Sequence, residues 1–436
     1  MEQIDVAVIG AGAAGLAAAR ALDAAGARTV MFEARDRIGG RVLTRAESPL
    51  PVPVDLGGEF VHGANPVSFR LLRAAGSVAI DTAERSLRYE DGALREGDDP
   101  FDVVARVLSR ARSLNDDLSI ADFTAGLSHE ERATTRMMTE GFDAADPARA
   151  STLALAAEWG DAQGQTSQQF RPLGGYAPLM RMLSGALDPN RSALLLDTPV
   201  QTIRYDGNGV VIEARRAAGA ALRVRARAAV VTVPLGVLQA GRPAFTPPLP
   251  QEKRDALDAL IMGPVVKLAL LFRRPFWESL EGARFRDVAF FHRAEAHFPT
   301  FWTLLPLRAP ILIAWAGGPK ADLLRAHDAT ARTRAALDDL AILFGIEARP
   351  HDELVTAYQH DWDADPFSLG AYSYVATGGR GARDALAAPV GGRLFFAGEA
   401  TASAAESSTV GGALESGERA AREIVAALGL SAPAAR

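Results

Sequence analysis

The sequence predicts an α/β fold in two domains, one of them assembled from separated pieces of the chain. Three observations carry this. A glycine-rich turn joins a short apolar strand to an alanine-rich helix within the first forty residues, and a second strand follows. A strand-to-helix unit with its own glycine pairs closes the last forty. Between them, alternating strands and a β-rich run are interleaved with helical stretches. At 436 residues the chain has room for two or three cores at roughly one per 150 residues.

In chain order, Asp5–Ile9 reads as a strand and Ala13–Ala25 as a helix whose end fits Gly26. Arg28–Phe32 is the second strand, stopping at Glu33. Gly92–Ala150 reads as helical, with Phe101, Val104, Leu108 and Leu114 at helical spacing and Ser119 as a cap. Leu194–Val233 alternates as short strands around the turn Asp206-Gly207-Asn208-Gly209. Gln251–Leu260 is a helix; Lys267–Phe272, Val288–Phe291 and Ile311–Trp315 are strands; Ala329–Leu343 is another helix. Arg393–Ala397 and Gly411–Leu428 are the closing strand and helix. The expected division is a Rossmann-like dinucleotide-binding domain of residues 1–75, 195–246 and 385–436. The second domain, residues 76–194 and 247–384, has a mixed sheet plus helices and receives the substrate.

Composition removes several classes of chemistry. Lys and Arg number 47 against 53 Asp and Glu, a net charge of −6, the wrong sign for a general nucleic-acid binder. The chain has no cysteine, which excludes disulfides, thiol nucleophiles and iron–sulfur clusters. Seven histidines are scattered without metal-ligand spacing, so no metal is expected. No signal-peptide pattern and no long unbroken apolar stretch is present, and a cytoplasmic protein without a membrane span is the expectation.

Gly10-Ala11-Gly12-Ala13-Ala14-Gly15 sits between strand and helix, and Glu33 ends the next strand. Gly10 permits the tight turn, Gly12 lets backbone approach a pyrophosphate, and Gly15 allows close packing of helix on strand. The phosphates then meet the positive end of the helix, and Glu33 accepts hydrogen bonds from a ribose diol. The chain continues Ala34-Arg35-Asp36-Arg37-Ile38-Gly39-Gly40-Arg41, a second glycine pair able to close on the same pyrophosphate, with Arg41 adding charge. This extension resembles the signature of FAD-binding oxidoreductases of the glutathione reductase type, and especially the flavin amine oxidase family.

Further segments carry the same resemblance. Asp55-Leu56-Gly57-Gly58-Glu59-Phe60-Val61-His62-Gly63 is similar to the loop passing the flavin ring. Val231–Leu238 resembles a strand and turn of the polyamine oxidase and histone-lysine demethylase branch, and Val200 matches the position whose backbone holds the adenine. Asp365–Tyr374 matches a substrate-side segment. Gly398-Glu399, then Thr409-Val410-Gly411, match the last flavin-binding turn. The resemblance therefore implies FAD, held by Gly10, Gly12, Ala14, Gly15, Glu33, Ala34, Arg35, Gly39, Gly40, Arg41, Gly57, Gly58, Glu59, Phe60, Val200, Gly398, Glu399, Thr409 and Val410, with Trp362 either near the flavin or in the core. Without cysteine, a cysteinyl-flavin bond cannot form, so binding is non-covalent.

The implied reaction takes a hydride equivalent from the carbon beside an amine nitrogen. It leaves an imine that water hydrolyses, while O2 is reduced to H2O2. Lys267 is the single charge in the run Ile261–Phe272 and must either reach an edge or be buried with a partner. The resemblance places it at flavin N5 through a water. His62 matches a histidine near the substrate amine, and its ordinary pKa near 6.5 would tune substrate protonation. Tyr372 and Tyr374 offer one wall of an aromatic cage, or edge packing. Glu158 and Trp159 offer a distal anion and an apolar face, or core packing, and Phe60 and Ser408 complete the substrate residues. Ala402–Ser408 has no aromatic residue where monoamine oxidases form the second half of a cage, and Glu406 is expected to put an acid at the entrance. A polyamine-like or secondary amine is the expected substrate; the oligomeric state is left open.

Overall fold

The computed structural model describes residues 4–159, 168–216, 219–345 and 349–430. Its first sheet runs Ser192–Leu195, Thr29–Phe32, Ile4–Ile9, Ala221–Val231, Gly209–Arg215, Val200–Asp206 and Ala244–Thr246, with Leu394–Phe396 also pairing Ala221–Val231. The Ile4–Ile9 strand lies parallel to Thr29–Phe32 on one side and to Ala221–Val231 on the other. Both faces of such a strand are covered, so Val6, Ala7, Val8 and Ile9 are all buried and the segment reads as an unbroken apolar run. Helix Ala13–Ala24 packs against helix Val410–Leu428, which brings the two glycine-rich turns together.

The second sheet runs Leu354–Gln359, Val265–Phe272, Ile311–Gly317, Thr300–Thr303, Phe290–His292, Ser86–Glu90 and Ala93–Arg95. Side chains alternate across Val265–Phe272. Val266, Leu268, Leu270 and Phe272 face a core shared with helix Ala329–Phe344. Ala269 and Leu271 face the opposite way, against Val54, Leu56 and Trp302. Lys267 falls on that second face, toward the glycine loop.

Local signals placed most elements within a residue or two. The helical reading of Gly92–Ala150 starts too early: Ala93–Arg95 is an edge strand, and the helices are Pro100–Ser109, Ile120–Thr124 and His129–Gly141. Asp99, Ser119 and Ser128 cap them. Helix Gln251–Asp258 ends short of Leu260, which begins a two-stranded pairing of Leu260–Gly263 with Tyr372–Val375. Packing also crosses the expected domain limits. Tyr176, Leu179 and Leu183 join the core around helix Ala13–Ala24. Leu249, Leu257 and Ala382 join the core on the other face of the first sheet. These segments bury their apolar faces against the nucleotide-binding sheet and not the second one. No helix among the described residues is long and apolar enough to cross a membrane.

Candidate active site

The nucleotide end is built by the first turn. Gly10 has φ +107°, and a Cβ on Gly15 would lie 1.9 Å from the Gly10 carbonyl oxygen, so turn and helix close only on glycine. Gly12 caps helix Ala13–Ala24 with no side-chain bond, leaving the first-turn amides for an anion. A Cβ on Gly12 would have backbone of Gly39 and Gly40 no nearer than 3.8 Å, a cradle with space left in it. Glu33 is buried and accepts from the Ala11 amide at 2.7 Å and the Arg35 amide at 2.9 Å. Arg35 binds Asp365 at 2.9 Å and Ser368 at 2.8 Å. That corrects the reading of Asp365–Tyr374 as wholly substrate-side: its first half grips the Glu33–Arg35 end, and only Tyr372–Tyr374 reach the reaction end.

One cavity of about 870 Å³ runs from Glu33 past Gly12, Arg41, Gly58 and Val410 to Lys267 and His62. All the expected site residues line it except Gly15, which stands behind the turn. Uncapped amides, a buried acid and a glycine cradle fit an FAD: Glu33 and Val200 would hold its adenosine, Gly12 and Arg41 its pyrophosphate, and Gly57–Gly58 would leave room for its ring. Thr409 caps helix Val410–Leu428 through the Gly412 amide, and this helix start also lines the cavity.

Beyond the ring position is a chamber walled by Phe60, Phe101, Phe142, Trp159, Trp302 and Trp315. Lys267 is 2% exposed; its Nζ donates to Glu59 Oε2 at 2.6 Å and to the Gly57 carbonyl at 3.2 Å. Of the two possibilities the sequence left, it is buried with a partner. Glu59 also accepts from Arg171 Nε at 3.0 Å, Arg171 Nη2 at 2.9 Å and Trp302 Nε1 at 3.2 Å. Burial alone would raise the Glu59 carboxyl, but Lys267 and Arg171 outweigh it and hold it below its usual range. Glu59, expected at the cofactor, is thus the hub of a buried ion cluster.

His62 corrects another expectation. Burial lowers its pKa to about 4, so the ring is neutral and does not titrate near 6.5. It packs edge-on to Phe142 at 5.3 Å, and its Nδ1 is buried without a partner among the described residues, a polar atom left for a ligand. The Tyr372 hydroxyl donates to the Phe142 carbonyl at 2.7 Å, and Tyr374 is buried in the core beside Trp159. Trp362 is buried and donates to the Leu56 carbonyl at 3.0 Å, fixing the glycine loop.

The acids also differ from expectation. Glu158 is not free: its Oε1 is 2.9 Å from Arg383 Nε. Glu406 does not line the cavity; it lies by Gly411 and Asn65 beneath the helix start. Among the described residues of the chamber, the buried acid without a cation partner is Asp143, whose Oδ1 accepts from Trp159 Nε1 at 3.2 Å. Burial first, then Glu158, holds its carboxyl well above the usual range. Asp143, Arg171 and Arg383 carry no sequence motif; Arg171 and Arg383 are each defined by a partner more than a hundred residues away, and Asp143 by burial beside Trp159. No cluster of three or more potential metal ligands occurs among the described residues.

Fold and site together define a dinucleotide-dependent oxidoreductase with an apolar, closed-in reaction chamber. The family model for flavin containing amine oxidoreductases matches residues 13–425, and the chain belongs to that family, whose cofactor is FAD. Among its relatives is Protein FLOWERING LOCUS D of Arabidopsis thaliana, 32% identical over 91% of this chain and 52% of the relative. Human lysine-specific histone demethylase 2 is 30% identical over 97% of this chain and 53% of its own length. The chain thus spans about half the length of these relatives. In fold it is similar to the cyclohexylamine oxidase of Brevibacterium oxydans, with TM-score 0.83, 24% identity and coverage of 98% and 100% of the two chains. A putrescine oxidase solved bound to putrescine gives TM-score 0.82, 24% identity and coverage of 98% and 99%.

Proposed function

We propose that this chain is an FAD-dependent oxidase of a small-molecule amine, converting it to an imine that water hydrolyses, with O2 as acceptor and H2O2 as product. The observation supporting this is one continuous cavity: it joins a nucleotide cradle to an aromatic chamber that holds a buried lysine and the buried acid Asp143. FAD, when bound, accepts the two electrons and the hydrogen leaving the amine carbon.

The chain's own residues prepare that transfer. The aromatic walls displace water, so the charges that remain act in a low dielectric. Asp143 stands where a cationic nitrogen can be met. The neutral His62 offers a ring nitrogen to a substrate amine without adding charge. Gly57 and Glu59 hold the Lys267 ammonium at the chamber wall, fixed for orienting a water toward the acceptor step. None of these roles needs a side-chain nucleophile.

The test is direct. Purified protein loaded with FAD is mixed anaerobically with a panel of primary and secondary alkylamines, diamines, arylalkylamines and a methylated-lysine peptide. Bleaching of the flavin by a small amine, followed by peroxide on admitting air, is the expected result. Bleaching by the peptide alone would move the substrate to a protein side chain, and bleaching by none would overturn the proposal.

A further inference from the structure

Resting on the amine-oxidising reading of the chamber, we infer that Arg383 sets its charge preference: by pairing with Glu158 behind the wall, it leaves a chamber suited to amines with one cationic nitrogen on an apolar body. Glu158 lines the cavity and Arg383 does not. Their side chains are 13% and 7% exposed and 2.9 Å apart, so the pair is neutral and mostly out of water. The guanidinium is held from the far side as well. Its Nη1 donates to Ser373 Oγ at 2.8 Å, its Nη2 donates to the Ser373 carbonyl at 2.9 Å, and Ser408 Oγ is 3.3 Å away. Ser373 Oγ in turn donates to Glu399 at 2.7 Å, and Glu399 binds Arg41 at 2.9 Å. Arg383 is therefore anchored and cannot swing away to release Glu158.

Inside the chamber, among the described residues, the buried acid left to meet a substrate cation is Asp143; Glu84 and Asp99 line the same cavity only from solvent-exposed positions. His62 and His292 are both neutral, their pKa values lowered to about 4 by burial. A second substrate ammonium held inside the chamber would meet aromatic wall and, among the described residues, no further buried anion without a cation partner, losing its hydration for nothing in return. An apolar substituent gains from the same wall.

The experiment compares hexylamine with 1,6-diaminohexane, a pair of one chain length and different charge. Dissociation constants are read from perturbation of the flavin absorbance of the FAD-loaded protein, and turnover is measured beside them. Arg383→Gln and Arg383→Met release Glu158, and the diamine-to-monoamine affinity ratio is expected to rise at least about tenfold. Arg383→Lys keeps the charge and holds the ratio near wild type. The double variant Arg383→Gln/Glu158→Gln returns it there. An unchanged ratio in both single variants overturns the inference, as does loss of FAD from both, which would assign Arg383 to the cofactor clamp alone. A wild type that binds amines without oxidising them would instead sink the oxidase reading and leave the charge preference standing.

Discussion

Replacing Glu59 with Gln probes the charge count of the buried cluster. Glu59 is one anion serving two cations, Lys267 at 2.6 Å and Arg171 at 2.9 Å, and none of the three side chains is more than 9% exposed. The native sum is +1; Glu59→Gln makes it +2 with both cations uncompensated, whereas Lys267→Met makes it zero and keeps a complete Arg171–Glu59 pair. Removing one partner from a buried pair costs about 3–5 kcal/mol. Losing the Lys267 hydrogen bond while shedding the surplus charge costs about 1 kcal/mol. The assay is urea unfolding of both variants at matched, saturating FAD, followed by tryptophan fluorescence. The pH dependence has a definite sign. The Glu59 carboxyl sits below its ordinary 4.5 in the folded chain, so its stabilisation is complete above that value. It fades as pH falls through the lower folded value, and the Glu59→Gln deficit should be full at pH 7 and shrink in acid. A deficit under about 1 kcal/mol at pH 7, or a Lys267→Met variant as unstable as Glu59→Gln, would refute the charge count.

Three other outcomes follow from the site. Lys267→Met should retain FAD yet slow flavin reoxidation by about tenfold or more in stopped flow; unchanged rates in both half-reactions would remove its assigned role. Asp55 is raised from 3.8 to about 6, by burial first, with the Thr44 hydrogen bond opposing. The folded chain keeps a proton there that the unfolded chain has released, so wild type loses stability as pH rises across that window. Asp55→Asn should accordingly be more stable than wild type at pH 8, by up to about 3 kcal/mol, and no more stable at pH 4, as measured by urea titration. His62, lowered to about 4 by burial, resists a proton that the unfolded chain binds near 6.5. Stability therefore drops as pH falls from 6.5 toward 4, and His62→Gln should flatten that limb in thermal melts while wild-type pH–rate curves show no inflection from this ring.

How much of this was legible in the sequence depends on the distance between partners. Gly10, Gly12 and Gly15 act within one turn, Glu33 ends the adjoining strand, and Thr409 caps its own helix, so local spacing exposes each of them. The solitary charge in the run Ile261–Phe272 made Lys267 conspicuous without saying what it met. Glu59 and Arg171 lie 112 residues apart, and Glu158 and Arg383 are 225 apart. No periodicity links such pairs; only the sheet register and the packing of the helical segment on the glycine loop bring them into contact. The same distance hid the burial that neutralises His62, because a histidine in a glycine-bounded loop gives no sign of the aromatic rings closing over it.

The placement of the two glycine-rich turns has a consequence for timing. Gly12 and Val410 line one cavity, and the strand Ala221–Val231 stands between Ile4–Ile9 and Leu394–Phe396. A ribosome adds about 5–20 residues per second, so some 20–80 s separate the emergence of the two turns. During that interval the first turn, with Gly57, Gly58 and Lys267, forms a site that still lacks the wall contributed by Gly398, Glu399, Thr409 and Val410. The cavity is therefore complete only once the second turn has been made and has folded onto the first, so tight cofactor binding waits for both.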